Sequence, residues 1–314
     1  MYNSDMELAN QRNDSNPVES HIRPAQQADA SAITILLRNA AFTHMHVDWH
    51  YPSDWLGSPG FVLQEKVEKQ TAVKSITKHF FGVQKTLTAC LAVTADPLPA
   101  AWVRVAAIGR EQDGGVLLAQ MMEPVVAYLR ETAVTHIGWL LAQGWPQAWT
   151  AAVGFEPFTA IETYVKDDLT LPDLPVVPEV TLRPVRSEDM DILARIELDA
   201  YDPLWRHSAD ALRLAHHQSS SFDVIEYAGK IVGFQFSTSG SRGAHLARIT
   251  VDPRFQGCGI GTALMVHAIR GYRAKGLRSV TLNTQVDNPA SHQLYKRFGF
   301  RQDDYRLPVW RLDL

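Results

Sequence analysis

Two hydrophobic patterns alternate along the second half of the chain. The segments VTLRPV, FDVIEYA, IVGFQFSTS, AHLARITV and SVTLNTQV alternate apolar and polar residues, which is typical of β-strands. Between them, apolar residues recur every three or four positions, which predicts amphipathic helices. With FRQDDYR and PVWRLDL as closing strands, the predicted order is β-α-α-β-β-β-α-β-α-β-β. This order indicates an α+β domain built around one mixed sheet.

Two of the predicted helices carry clear boundary and face signals. SEDMDILARIELDAY places Ser187 in the N-cap position, with Ile192, Ile196 and Ala200 on one face. The longest predicted helix covers Ile260–Lys275; it has apolar residues four apart and a glycine directly after its end, which favours a helix stop.

The first half has the same order of elements in a looser form. The predicted helices lie near residues 29–41, 124–131 and 146–152, and the predicted strands near 61–64, 87–93, 101–108, 135–141 and 160–166. Pro124 interrupts the helical pattern that precedes it, so the second helix is predicted to begin there.

A weak internal repeat relates the two halves. IRPA followed by Asp29 matches LRPV followed by Asp189, and VGF around Gly154 matches FGF around Gly299. Two matches in the same order favour duplication of one domain. Between the halves, DLTLPDLPVVPEV contains three prolines in a short span, which predicts an extended linker. The predicted organisation is a flexible tail at 1–20, one domain at 21–168, a linker at 169–178 and a second domain at 179–314.

Composition narrows the class of protein. The 314 residues fit two domains, and the net charge of −4 gives no basic field for nucleic acid or anionic lipid. No run approaches the ~18 apolar residues of a membrane span. The polar, acidic start lacks the regions of a signal peptide. The two cysteines, Cys90 and Cys258, form no pair motif, so we expect a protein of the reducing cytoplasm.

The stretch QGCGIG, Gln256–Gly261, lies between a predicted strand and a predicted helix. Glycines at such a point let backbone N–H groups converge on an anion at the helix N-terminus. The spacing fits neither the dinucleotide fingerprint G-x-G-x-x-G nor the P-loop, which needs a lysine after its last glycine. The pattern [QR]-x-x-G-x-[GA] is filled by Gln256, Gly259 and Gly261.

The second half resembles the GNAT superfamily of acyl-CoA-dependent N-acyltransferases. ITVDPRFQGCGIGTAL and DNPASHQLYKRFGF carry the resemblance, which spans about Val180 to Leu314. It implies two GNAT-like domains, each a mixed sheet flanked by helices, with acetyl-CoA as the expected donor and no metal. It also implies a cofactor site that holds the pyrophosphate and the pantetheine arm of coenzyme A. The implied cofactor-binding residues are Ile249, Thr250, Val251, Gln256, Gly257, Cys258, Gly259, Ile260, Gly261, Thr262 and Asn288.

Direct transfer from a thioester to an amine needs a base, an oxyanion donor and an acid. The resemblance implies that the backbone N–H of Val251 serves the oxyanion and that Tyr295 protonates the leaving thiolate. Relatives carry a base six residues before that valine, which corresponds to His245; a packing tyrosine and a surface histidine are the alternatives. Asn283 stands where other relatives have a glutamate base and cannot serve. We interpret Cys258 as a bystander, because the family chemistry is direct transfer.

Contacts to the acceptor are expected from the loop between the first two helices and from the last strands. These segments supply Tyr201, Asp202, Trp205, His207 and Trp310. Aromatic rings beside one carboxylate suit a cationic or aromatic amine. The expected partner is therefore a small-molecule or peptide amine, and an oligomer is compatible with the sequence.

The first half lacks both motifs. Its GREQDGGVLLAQMMEP does not fill the glycine pattern, and Thr150 stands opposite Tyr295 when the VGF and FGF segments are aligned. We predict a degenerate GNAT-like domain that braces the active domain or walls its cleft. Its HMHVDWH could hold zinc only on a regular strand, and we expect a loop packed on Trp49 and Trp55 instead.

Two classes of function remain open from the sequence. The leading one is an N-acetyltransferase active in the second domain. Within this class, a mycothiol synthase-like enzyme and a peptide N-terminal acetyltransferase both fit the chain. A non-catalytic acyl-CoA sensor is the alternative from another class, although an acid at Tyr295 favours the enzyme.

Overall fold

The computed structural model describes most of the chain. The described residues are 19–69, 83–110, 113–173, 179–241 and 243–314. Residues 1–18 of the predicted tail and 174–178 of the predicted linker lie outside them. None of the helices in these ranges combines the length and hydropathy that a bilayer crossing needs.

Thirteen strands and seven α-helices make up the described part of the chain, and the helices cover both faces of the sheet. The strands are β1 (Glu19–Pro24), β2 (Phe42–Met45), β3 (Phe61–Lys69), β4 (Val83–Thr94), β5 (Ala100–Ile108), β6 (His136–Leu140), β7 (Glu156–Lys166), β8 (Thr181–Pro184), β9 (Ser221–Tyr227), β10 (Lys230–Gly240), β11 (Gly243–Val251), β12 (Val280–Gln285) and β13 (Arg301–Asp313). The helices are α1 (Ala30–Asn39), α2 (Gly114–Arg130), α3 (Pro146–Ala152), α4 (Met190–Ala200), α5 (Ala209–Gln218), α6 (Ile260–Ala274) and α7 (Pro289–Arg297).

All strands belong to one sheet, and the halves exchange their last strands. The order is β1-β3-β4-β5-β6-β13-β7-β12-β11-β10-β9-β8, and β2 pairs with β5 off this path. Thus β13 of the second half lies between β6 and β7 of the first half, and β7 lies between β13 and β12. The backbone hydrogen bonds of each closing strand are therefore satisfied by the other half.

The predicted repeat has a structural counterpart in each half. Arg23 makes a two-pronged ion pair with Asp29, and Arg183 makes the same pair with Asp189. In both places the carboxylate also accepts a backbone N–H three residues earlier. Because a bidentate pair fixes the geometry of both side chains, the first strand is joined to the start of the first helix in the same way twice.

The second predicted match also holds in the structure. Gly154 and Gly299 have φ of 89° and 77°, a conformation that glycine adopts without steric cost. The N–H of the next residue bonds to the carbonyl of Thr150 in the first half and of Tyr295 in the second, both at 3.0 Å. Thr150 therefore occupies the position that Tyr295 has in the second half.

Two boundary predictions are wrong. α2 begins at Gly114 and continues through Pro124, which lies on the exposed face of the helix. Proline has no N–H, so the carbonyl of Gln120 loses its helical hydrogen bond. Gln120 is also on the exposed face, where this carbonyl can bond to water, and the helix therefore tolerates the proline. FRQDDYR and PVWRLDL form one strand, β13, whose pairing with β7 shifts register between Gln302 and Arg306.

The start of α4 also differs from the sequence prediction. Ser187 is not its N-cap: residues 187–189 form a 3-10 turn, and Asp189 accepts the N–H of Arg186. Ile192 is 37% exposed, whereas Leu193 and Ile196 are buried. The ion pair of Asp189 with Arg183 on the preceding strand fixes which face of α4 turns toward the core. The spacing of apolar residues alone does not specify this face.

The predicted linker begins with packed residues. Leu169 is buried in the core of the second half beside Phe298 and Phe300, and Leu171 packs against the same cluster. The chain between β7 and β8 therefore follows the surface of the second half before residue 174.

The strand exchange predicts that the second half alone is incomplete. A fragment of residues 179–314 lacks both neighbours of β13, whereas a fragment of residues 156–314 retains β7. We expect the longer fragment to stay soluble and unfold cooperatively and the shorter one to aggregate, because its β13 leaves unpaired edges. Size-exclusion chromatography and circular dichroism would check this. Equal behaviour of the two fragments would contradict the importance of the exchange.

Candidate active site

The sheet opens in the middle of the second half. β11 pairs with the parallel strand β12 only from Ala244 to Leu246. Beyond that point β12 continues along β7, while β11 continues along β10 as far as Val251. The two parallel strands therefore diverge, and the end of β11 has one edge without a neighbouring strand.

The backbone of β11 faces this opening at alternate residues. The N–H of Asp252 bonds to Val232 on β10. Because backbone groups alternate in an antiparallel pair, those of Ile249 and Val251 point away from β10, toward the opening. Thr250 is turned toward β10, so of the three residues predicted to pair with a pantetheine arm, Thr250 does not present its backbone there.

The glycine loop turns the chain into α6 beside this opening. Gly257 and Gly259 have φ of 77° and 84°, which explains glycine at both positions. The first N–H groups of a helix have no acceptor within it. In α6 these belong to Ile260, Gly261 and Thr262, since the N–H of Ala263 bonds to Gly259. The loop thus ends in outward N–H groups and the positive end of a helix dipole.

A cavity of about 550 Å³ joins the opening to the glycine loop. Its lining includes the loop, the start of α7, the segment after α4 and Phe158 from β7 of the first half. The predicted site residues that line it are Tyr201, Asp202, Trp205, Ile249, Val251, Gln256, Gly257, Gly259, Gly261, Thr262 and Asn288. Arg297, which the sequence analysis did not select, lines the cavity near Thr262 and adds a positive charge there.

Several predicted residues lie outside the cavity lining. Trp310 is 8% exposed and belongs to the core of the first half, opposite Trp139 on β6. The strand exchange places it there, because β13 leaves its own half. The side chain of Ile260 is buried under α6, so only its backbone is available. Cys258 is exposed, and its thiol donates weakly to Gln256 O at 3.7 Å.

The side chains of Gln256 and Asn288 hold backbone around the cavity. Gln256 donates to the carbonyl of Val251 at 3.1 Å, which ties the glycine loop to the end of β11. Asn288 accepts the N–H of Ser291 at 3.1 Å and so caps α7. Both residues therefore shape the site, in addition to any contact with a ligand.

Tyr295 lies on α7, directly after the cavity-lining Leu294. It is 4% exposed and packs against Phe300 and Tyr164. Burial raises the pKa of Tyr295, and Tyr201 raises it further. Its hydroxyl is therefore protonated at neutral pH, as a proton donor must be.

His245 lies where β11 and β12 are still paired, next to the point of divergence. Its Nδ1 is 2.8 Å from the hydroxyl of Thr281 on β12, and the side chain does not line the cavity. Burial lowers the pKa of His245, so the neutral imidazole prevails at neutral pH. Proton transfer from the cavity to His245 requires an intervening water.

A buried charged cluster under the site was not predicted from the sequence. Glu197 on α4 is fully buried and pairs with Arg248 on β11. It also accepts hydrogen bonds from the hydroxyl of Thr250 at 2.9 Å and from the backbone N–H of His207 at 3.2 Å, and the ring Nδ1 of His207 lies at the same distance of 3.2 Å. His207 thus supports the carboxylate rather than lining the cavity.

The cluster reaches the cavity through Tyr201. The guanidinium of Arg248 lies 3.8 Å from the centre of the Tyr201 ring, a cation–π contact. The hydroxyl of Tyr201 donates to the carbonyl of Ile249 at 3.1 Å, on the open edge of β11. One sequence signal existed: Glu197 lies four residues after Leu193 on the buried face of α4, where a carboxylate needs a partner.

Arg248 and His207 keep Glu197 ionised. Burial by itself would raise the pKa of Glu197, but these two partners outweigh it and lower the pKa to about 2. The stabilisation is present above the ordinary value of 4.5 and is lost as the pH falls toward 2.

The equivalent opening in the first half is filled by the chain itself. β5 pairs with the parallel strand β6 only from Ala100 to Trp102, as in the second half. Beyond that point β2 pairs with β5 along residues 105–108. β2 thus occupies the edge that stays open on β11.

Aromatic side chains fill the rest of that region. Phe42 contacts Trp145 and Trp149, and the indole of Trp145 donates to the carbonyl of Thr43 at 3.0 Å. Trp149 lies so close to Gly114 that a Cβ there would come within 2.2 Å of its ring. Asp113 caps α2 and places a carboxylate where the second half has its glycine loop.

The segment HMHVDWH is part strand and part loop. His44 lies on β2, is 1% exposed and bonds to Val103 O, while His50 packs on Trp55 in the following loop. Within the described ranges, no three His, Cys, Asp or Glu side chains are placed to hold a metal ion.

Replacing Glu197 tests the buried cluster. Glu197→Gln leaves Arg248 buried without its counter-charge, so we expect a loss of about 3–5 kcal/mol in the free energy of unfolding. The double variant Glu197→Gln/Arg248→Met should recover a large part of that loss, because no charge remains unpaired. Urea denaturation of the three proteins measures both values. A double variant no more stable than Glu197→Gln would contradict the pairing.

Comparison with known proteins agrees with this geometry. Residues 190–300 match the model of the acetyltransferase (GNAT) family. Among curated relatives, the mycothiol acetyltransferase of Amycolatopsis mediterranei is 28% identical, with 38% of this chain and 45% of the relative covered. A putative [ribosomal protein bS18]-alanine N-acetyltransferase of Bacillus subtilis is 25% identical, with 41% and 85% covered. This chain thus spans less than half the length of the first of these relatives.

Solved structures match almost the whole chain. A tandem GNAT protein from the clavulanic acid biosynthesis pathway has a TM-score of 0.57 at 16% identity, with 94% of this chain and 98% of that chain covered. A GCN5-related N-acetyltransferase from Kribbella flavida has a TM-score of 0.65 at 12% identity, with 94% and 71% covered. At such identities these matches establish the fold. Residues 190–300 therefore belong to a domain of the acetyltransferase (GNAT) family, in a chain with the fold of a tandem GNAT protein.

Proposed function

We propose that the second half is an acetyl-CoA-dependent N-acetyltransferase that transfers an acetyl group directly to a primary amine. One observation carries the proposal: a single cavity joins the open edge of β11 to the free N–H groups at the start of α6. An extended amide chain can pair with the strand edge, and a pyrophosphate can bind at the helix N-terminus.

The residues present fit coenzyme A. The N–H groups of Gly257–Thr262 and the guanidinium of Arg297 would hold the phosphates, and the backbone of Ile249 and Val251 would hold the pantetheine arm. Gly261 leaves room for the ligand, since a Cβ there would have only ordinary contacts, 3.6 Å from Leu294 and 3.7 Å from Val251. Acetyl-CoA supplies an activated acetyl group with a thiolate leaving group.

Three groups of the chain then perform the transfer. The N–H of Val251 stabilises the negative charge that develops on the carbonyl oxygen as the amine nitrogen forms its bond to the carbonyl carbon. His245, neutral because burial lowers its pKa, accepts the amine proton through water. Tyr295, kept protonated by burial, donates a proton to the sulfur as the carbon–sulfur bond breaks.

The acceptor is proposed to be a small-molecule or peptide amine. The relatives named above are, by their names, a mycothiol acetyltransferase and a ribosomal-protein alanine N-acetyltransferase, so both kinds of acceptor occur among similar proteins. Tyr201, Trp205 and Phe158 give this part of the cavity aromatic walls, and Asp202 adds a carboxylate. Such a surface favours an amine that carries a cationic or aromatic group.

A substitution at Gly261 tests the coenzyme site. Gly261→Val would extend methyl groups into the cavity, so we expect this variant to lose coenzyme A binding. We expect the wild type to bind one molecule per chain, because β2 fills the corresponding opening of the first half. Gly271→Val, in the same helix with open space around it, is the matched control. Gly261→Ala should still bind, since the glycine pattern accepts alanine there. Calorimetry measures all four proteins; tight binding by Gly261→Val would remove the site assignment.

A substitution at Tyr295 tests the reaction. Tyr295→Phe should lower kcat about a hundredfold and leave the affinity for coenzyme A unchanged, because only the proton donor is lost. Tyr272→Phe is the control: it is also buried in this half, but its hydroxyl bonds to Ser237 on β10. Thiol release from acetyl-CoA is measured with tryptamine, spermidine and an alanine-initiated peptide. Coenzyme A binding without turnover of any amine would instead indicate a sensor.

A further inference from the structure

The segment Tyr201–His207, between α4 and α5, has two sides. One side lines the cavity through Tyr201, Asp202 and Trp205. The other side packs on β5 and β6 of the first half and on the exchanged strands β7 and β13, around Leu204, which is 2% exposed. We call this segment the acceptor loop.

The central contact is made by Trp102 on β5 of the first half. Its indole N–H donates to the carbonyl of Leu204 at 2.8 Å, in a buried environment. Its ring lies 5.4 Å from the ring of Trp205, which is the cavity-lining residue beside it. Gly138 on β6 leaves space for this packing, because a Cβ there would come within 2.8 Å of Leu204.

A second contact holds the end of the loop. The Trp49 ring packs at 5.1 Å from His207 and at 5.0 Å from Phe236 on β10. The carbonyl of Trp49 accepts the side-chain N–H of Gln218 on α5. Since His207 also bonds to Glu197, this contact joins the first half to the charged cluster under the cavity.

The first half builds this second contact from a buried ion pair. Arg104 on β5 is 5% exposed and pairs with Asp48, which has a left-handed φ of 48°. A non-glycine residue in that conformation needs outside support. The pair therefore turns the chain so that the next residue, Trp49, reaches the second half.

The structure assigns to Trp102 the role of a positioning residue for the amine acceptor: through Leu204 and Trp205 it holds the acceptor loop in the cavity wall. This inference rests on the proposed acetyltransferase function. The first half, whose own opening is filled by β2, thus acts on the acceptor through this contact.

A matched pair of variants separates this role from general stability. Trp102→Phe keeps most of the ring and removes the N–H that bonds to Leu204. Trp139→Phe makes the same change at a buried tryptophan of the same half, whose indole N–H has no hydrogen-bond partner among the described residues.

We expect Trp102→Phe to raise KM for the amine about fivefold, the effect of one lost hydrogen bond. KM for acetyl-CoA and the affinity for coenzyme A should stay at the wild-type values, and Trp139→Phe should match wild type in all three. The amine is the one that the panel above shows to be acetylated fastest. A parallel rise of both KM values, or an equal effect of Trp139→Phe, would overturn the inference.

Hydrogen exchange tests the loop without relying on catalysis. With coenzyme A bound, Trp102→Phe should speed amide exchange several-fold in peptides covering 201–207 and leave peptides covering 256–262 unchanged. Trp139→Phe should leave both sets unchanged. If no amine is acetylated but this pattern appears, the proposed function fails and the contact between the loop and the first half stands. Unchanged exchange at 201–207 in Trp102→Phe overturns the inference whether or not the enzyme is active.

Discussion

The pairing of β12 with β7 is the constraint on which the site depends. All of β12 pairs with β7, but only its first three residues pair with β11. β12 thus follows a strand of the other half and leaves the end of β11 open, and backbone groups that a sheet normally satisfies become available to a ligand. The same exchange brings Phe158 on β7 to the cavity and removes Trp310 to the opposite core. The exchange of β7 and β13 therefore produces both the opening beside β11 and the contact between the halves.

The buried pair of Glu197 and Arg248 supports the open strand from below. A strand with one free edge loses half of its lateral hydrogen bonds, so its position needs other contacts. Arg248 and Thr250, both on β11, bond to the same carboxylate, and Tyr201 holds the Ile249 carbonyl. A fully bonded carboxylate tolerates burial, whereas an isolated one does not. Burying these two charges costs free energy. We therefore assign the pair to holding the position of β11, in addition to any contribution to stability.

The two halves share one fold but differ in what occupies the opening between their parallel strands. In the second half the opening meets a glycine loop and free N–H groups. In the first half β2 pairs with the exposed edge, and Trp149 and Asp113 occupy the helix start. The absence of the glycine pattern and of the tyrosine was visible in the sequence. Strand β2, which fills the opening of the first half, was not visible in the sequence. Its segment FTHM is too short to show a hydrophobic period, and its partner β5 is distant in the chain.

The sequence by itself determined the local features of this protein. Glycine spacing before α6, the apolar period of that helix and the repeated Arg–Asp motif each act within a few residues, so their outcome could be read from neighbours in the chain. Only the tertiary structure decided which strand lies beside β12, which side of the acceptor loop faces Trp102, and where Glu197 finds Arg248. These contacts join residues far apart in sequence, and hydrophobic period specifies that a face is buried without specifying what covers it.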